Sequence, residues 1–215
     1  MKKFIGLFTC VLCSLCVSSA FAEFTLTQDT TAPTYSTLLT FDEPGGPTGP
    51  ISTDAFADIG IASLDAGDGN PQVGDFTSPP GGPWVGDGNS FFGNFGVFIN
   101  FAQPVSALSA NIWDPSGPPG PIGGGLGVFL FEDGNPLNDP FSQPEFFIEP
   151  AWGGIGQQAL NVVGNNGSTF DELRFVGFGF EPLTFMDDLS FDLVPEPSSF
   201  VLLSGVLLLL RRRRC

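Results

Sequence analysis

Four carboxylates are placed where they could do chemistry. In TFMDDLSFDL, strand alternation puts Phe185, Asp187, Leu189, Phe191 and Leu193 on one face, and Met186, Asp188, Ser190 and Asp192 on the other. Asp187 then shares an apolar face. A buried carboxylate is costly unless hydrogen bonds, a cation or a proton compensates it. The competing reading sets Asp187 at the start of the strand, in water. Near the other end, LTFDE offers Asp42 and Glu43. If the first and last strands lie side by side, Asp42 or Glu43 meets Asp187 or Asp188. Calcium is the cofactor such a set of oxygens would take.

Three further acidic segments share an Asp-Gly-Asn core: AGDGNP (66–71), VGDGNS (85–90) and FEDGNP (131–136). Gly and Asn tolerate positive φ, so the first expectation is three tight turns. Calcium loops are the alternative, and DAGDGN comes nearest. It lacks the full ligand alternation of an EF-hand, and no spaced glutamate follows. Trp84, Trp113 and Trp152 each stand beside Gly or Pro or close to them. Exposed, they would form a platform for sugar rings; buried, they plug loops onto the core, which is the favoured expectation.

Other chemistries are poorly supplied. The sequence has no histidine, which excludes His-based triads and His metal ligands. Residues 23–194 contain no cysteine and no lysine, so a thiol nucleophile and a phosphate-loop lysine are missing there. A carboxylate pair for glycoside hydrolysis cannot be singled out among so many acids. The expectation is a non-enzymatic protein. Arg174 is the only basic residue in 23–194, against 22 carboxylates. That field repels nucleic acid and anionic lipid and attracts divalent cations.

The elements that must position these residues read as all-β. No helical apolar period persists for three turns, and short runs rich in Phe, Val, Ile and Thr alternate with turn residues. Expected strands are FTLTQ, TYSTLLTF, FGVFINF, VSALSANIW, GLGVFLFE, EFFIE, QQALNVV, DELRFVGFGF and LTFMDDLSFDL. In FGVFINF, Phe95, Val97, Ile99 and Phe101 share a parity. GVFLF is apolar on both parities, as in a covered strand or a Phe-rich face. These strands fit an antiparallel β-sandwich of jelly-roll type. Residues 45–89 are nearly all Gly, Pro, Asp and small side chains, and are the segment expected to be least ordered.

Both ends read as addresses. MKKFIGLFTCVLCSLCVSSAFA carries two lysines, an apolar run and small residues at Ala20 and Ala22, as a secretory signal peptide does, with cleavage by signal peptidase after Ala22. Thr9, Leu12 and Leu15 precede Cys10, Cys13 and Cys16, a poor fit to lipidation. At the other end Pro195, Glu196 and Pro197 interrupt regular structure. Phe200 to Leu210 is then nearly all apolar. As a helix it rises about 16 Å, roughly half a hydrocarbon core. Arg211, Arg212, Arg213 and Arg214 follow, a cluster that favours the cytoplasmic side.

That order of Pro-Glu-Pro, short apolar helix and terminal arginine cluster resembles the PEP-CTERM sorting signal. The resemblance covers Val194 to Arg214. It implies processing by exosortase, a membrane sorting enzyme of Gram-negative bacteria, and an association with exopolysaccharide and biofilm. The expected organisation is a signal peptide (1–22), an extracellular β-sandwich (23–194) and a sorting segment with one short transmembrane helix (195–215). The protein is expected to cross the inner membrane, stay briefly inserted there, and reach the cell surface or matrix. Separately, Asp42 and Glu43 with the DDL strand resemble the structural calcium site of carbohydrate-binding jelly rolls. That resemblance implies the alternative, a glycan-binding module whose partner is extracellular polysaccharide.

Overall fold

The computed structural model describes residues 23–29, 31–75, 88–113, 125–148, 159–178 and 183–195. Thirteen strands run through them. They are β1 (Phe24–Asp29), β2 (Thr37–Leu39), β3 (Gly49–Pro50), β4 (Ile61–Ala66), β5 (Gln72–Asp75), β6 (Asn89–Asn94) and β7 (Val97–Trp113). The remainder are β8 (Gly125–Glu132), β9 (Asn135–Pro136), β10 (Phe147–Ile148), β11 (Ala159–Gly164), β12 (Phe170–Phe178) and β13 (Leu183–Leu193). All pairings among them are antiparallel.

β7 organises the fold. FGVFINF and VSALSANIW, expected as two strands, form one strand of 17 residues that passes through Pro104. Its first half pairs with β12 and β4, and its second half with β11 and β13. The pairing with β12 jumps from Asn100 to Val105, which marks a bend. Proline has no N–H to give a ladder, so the ladder breaks there most cheaply. The Pro104 carbonyl instead accepts Val194 N–H at 2.8 Å. A strand bent in this way can serve two layers. One layer runs β10-β8-β12-β7-β4; the other runs β1-β11-β7-β13-β6-β5-β3, with β2 also on β13. The result is a sandwich-like all-β fold.

Phenylalanines fill the space between the layers. Phe101, at the bend, lies 5.0 Å from the Phe191 ring and 6.2 Å from Phe170, and Phe170 meets Phe24 at 6.0 Å. All four are buried, and each contributes about 1.5–3 kcal/mol by leaving water. Val97, Ile99 and Phe101 face this core as their parity predicts. Phe95 does not. It sits at φ 62° in the turn before β7 and is 56% exposed.

The described part of the segment expected to be least ordered is built into the sheet: β3, β4, β5 and the start of β6 all fall within residues 45–89, of which 76–87 lie outside the described residues. Ile61, Leu64 and Val73 are fully or almost fully buried there. Apolar residues at those few positions suffice, because β4 and β5 dock on strands already rich in Phe, Val and Ile.

Candidate functional site

β13 carries a bulge where the paired carboxylates lie. Asp187 stands opposite Asn111, but the next matched pair is Ser190 with Ser109, so β13 has one residue more than β7 across this step. Asp188 takes up the extra residue at φ 49°, a left-handed conformation unusual for a non-glycine residue.

The bulge reverses the alternation read from the sequence. Residues opposite one another across a strand pair share a face. Phe185 with Trp113, Asp187 with Asn111 and Ser190 with Ser109 make one face. Met186 with Ile112 and Phe191 with Leu108 make the other, together with Leu189, and belong to the main core. Asp187 therefore does not share the face of Leu189 and Phe191. It is nevertheless completely buried, and mid-strand rather than at a wet strand start.

Hydrogen bonds compensate that burial. Asp187 Oδ1 accepts the Asp188 backbone N–H at 2.8 Å, and Oδ2 accepts the Ser90 hydroxyl at 3.4 Å. Beside it, Asn111 Nδ2 donates to Asp188 Oδ2 at 2.8 Å. The Ser109 and Ser190 hydroxyls lie 2.8 Å apart. The chain before β2 lies over them: Pro33 O accepts from both hydroxyls, and Tyr35 N–H donates to Ser190 Oγ at 3.3 Å. Tyr35 is anchored in turn by donating its hydroxyl to Asn161 Oδ1 at 2.7 Å. Burial, with a smaller contribution from the Asp192 charge, pushes the Tyr35 hydroxyl above its ordinary value, against the opposing effect of the Asn161 bond. Between this overlying segment and the sheet is a cleft of about 320 Å³.

The first strand does not lie beside the last, since β1 pairs with β11; it is β2, just before Asp42, that pairs with β13. The four candidate metal ligands do not come together. Asp42 turns to accept the Asn89 backbone N–H at 2.6 Å, and Glu43 Oε1 accepts the Thr40 backbone N–H at 3.3 Å. Both are exposed loop carboxylates, whereas Asp187 is sealed in the sheet. Among the described residues no three acidic or thiol side chains gather into a group that could hold a metal. The four expected carboxylates are thus not gathered at one place: Asp42 holds the first residue of β6, and Glu43 serves its own turn.

Trp113 is 1% exposed and packs 5.5 Å from the Phe185 ring, so it is a core plug and not a sugar platform. Trp84 and Trp152 lie outside the described residues. So do Ala20, Ala22, Glu196, Pro197, Arg211, Arg212, Arg213 and Arg214, and with them the expected signal peptide and transmembrane helix. Among the described residues no helix is long and apolar enough to cross a membrane. Pro195 is exposed, two residues past the end of β13.

The Asp-Gly-Asn segments behave as turns where they are described. Asp133 and Gly134, at φ 51° and 76°, connect β8 to β9 with Glu132 opposite Asn135, a two-residue hairpin turn. In the first segment, Asp68 Oδ1 accepts the Asn70 N–H at 3.0 Å. In the second, only Gly88 to Ser90 are described; Gly88 has φ 62° and Asn89 is the residue that Asp42 holds.

Asn111, Ser109, Ser190 and Ser90 escaped the sequence reading as site residues. Their signal was present: Ser109 and Asn111 are polar at alternate positions inside an otherwise apolar run. No family model, no curated protein and no solved structure matches this chain.

Proposed function

We propose that this is a secreted, non-enzymatic surface or matrix protein, exported by its signal peptide and sorted by exosortase into an exopolysaccharide-rich layer. The Pro195-Glu196-Pro197 motif with its apolar run and four arginines carries this reading. The placement of Pro195 supports it, because the motif begins two residues past the end of β13, at an exposed residue. The strongly acidic body suits a soluble extracellular module, and a jelly-roll-type sandwich suits its two layers. The absence from the sequence of histidine, and of cysteine and lysine from residues 23–194, supports a binding or structural role over catalysis.

The test is the intact mass of the secreted protein from Gram-negative hosts with and without an exosortase. Loss of the residues beyond the Pro-Glu-Pro motif only in the host with the enzyme is the expected result. A tail retained in both hosts would reduce the segment to a plain anchor and remove the link to exopolysaccharide.

A further inference from the structure

The cleft over β13 is unaccounted for by sorting. Six of the residues that line it define its chemistry: Asp188, Asn111, Ser190 and Leu38 from the sheet, and Thr31 and Thr34 from the overlying chain. Its volume of about 320 Å³ lies at the lower end of the range for pockets that take small organic ligands, about 300–1,000 Å³. We propose that it binds a neutral polyhydroxylated ligand of the size of one sugar residue.

The observation that carries this is the bulge. Without the extra residue, Asp188 would follow the pleat onto the core face beside Met186. With it, Asp188 is turned to the cleft side and meets Asn111 across the strand pair. Bulges commonly re-aim a side chain in this way, and a non-glycine residue held at φ 49° marks a conformation kept despite its cost. The Asn111 bond locks carboxylate and amide side by side. Together they present acceptors and a donor at fixed spacing, which adjacent hydroxyls of a sugar can satisfy. Thr31 and Thr34, both exposed, add hydroxyls able to donate or accept, while Ser190, bonded to Pro33 and Tyr35, holds the overlying chain in place. Leu38, 46% exposed, supplies an apolar edge for the C–H face of a ring.

The same lining argues against other ligands. Among the described residues that line the cleft none is basic and one is a carboxylate, which disfavours an anion. Calcium takes six to eight oxygens, commonly with several carboxylates, and among the described residues only one carboxylate lines this cleft. The exported address proposed above explains only where such a ligand would come from, and the binding itself is independent of tail processing.

The full chain, purified, would be titrated with the methyl glycosides of glucose, galactose and mannose and followed by saturation-transfer NMR and calorimetry. The expected result is saturable binding of at least one of them with Kd at or below about 1 mM. Ala32→Trp, at another residue lining the cleft, fills it without touching a polar group. Asp188→Gly removes the carboxylate and suits the left-handed backbone. Each should weaken binding at least tenfold while leaving the circular dichroism spectrum unchanged. If one variant fails to fold, the other decides. Equal binding in wild type and a folded variant, or no binding of any of the three glycosides, overturns the proposal. So does terbium luminescence that saturates in the wild type and vanishes in Asp188→Gly without sugar binding, which would make the cleft a cation site. Tail processing and sugar binding are read separately, so either can fail without the other.

Discussion

Asp42 holds Asn89 across 47 positions of chain, its Oδ1 accepting the Asn89 backbone N–H at 2.6 Å at the first residue of β6. Gly88, just before, has φ 62°, and a Cβ there would run into the Asp42 carboxylate. Turn and carboxylate form one device that starts β6. Asp42→Ala should lose about 1–3 kcal/mol, the worth of a hydrogen bond to a charged group. Gly88→Ala should lose at least as much, from backbone strain and the collision together. Urea unfolding measures both. A Gly88→Ala protein as stable as wild type would refute this account of the turn.

Asn138 should be an unexpectedly costly residue to remove. Its Oδ1 accepts the Leu130 N–H at 2.7 Å and its Nδ2 donates to the Val128 carbonyl at 2.8 Å. The side-chain amide thus imitates a neighbouring peptide on β8, in the gap between its short pairings with β10 and β9. Both backbone groups lose their partner in Asn138→Ala, and the expected loss is about 2–4 kcal/mol. Amide hydrogen exchange at Leu130 should accelerate in parallel.

Trp113→Ala should behave as a core mutation. A large aromatic side chain buried against Phe185 costs about 3–5 kcal/mol when truncated. Thermal unfolding should show the loss. A fully stable variant with impaired glycan binding would restore the platform reading of this tryptophan.

Asp68 gives a pH dependence with a defined sign. The Asn94 side chain, donating to Asp68 Oδ2 at 2.8 Å, holds this carboxyl below the usual 3.8, against a smaller opposing effect of burial. The unfolded chain therefore takes up the proton first as pH falls. Asp68's contribution to stability is complete above the unfolded value and is lost as pH falls through the lower folded one. Carboxyl NMR titration should place Asp68 below the ordinary aspartates, and Asn94→Ala should move it back toward 3.8.

Much of the strand content was legible because alternation and turn residues are local signals. β1, β8, β11, β12 and β13 fall on the segments whose apolar and branched residues announce them. β4 and β5 were not legible. Their residues carry little strand signal of their own, and their partners β7 and β6 stabilise them from a distance in sequence. The candidate site was half legible. The burial of Asp187 followed from its apolar neighbours, but its face did not, since alternation assumes an uninterrupted pleat and Asp188 inserts one residue.

By itself the sequence determined composition-level and local properties: an all-β body, a strongly acidic charge, Asp-Gly-Asn turns, and end segments that read as addresses. These depend on side-chain type and on neighbours a few positions away. Only the tertiary structure decided which carboxylates meet. Asp42 went to Asn89 and not to Asp187, and Asp188 went to Asn111, because the bend at Pro104 and the bulge in β13 set strand register between segments far apart in the chain. A shift of one residue in a strand exchanges its faces, and the composition of the strand carries no record of that shift.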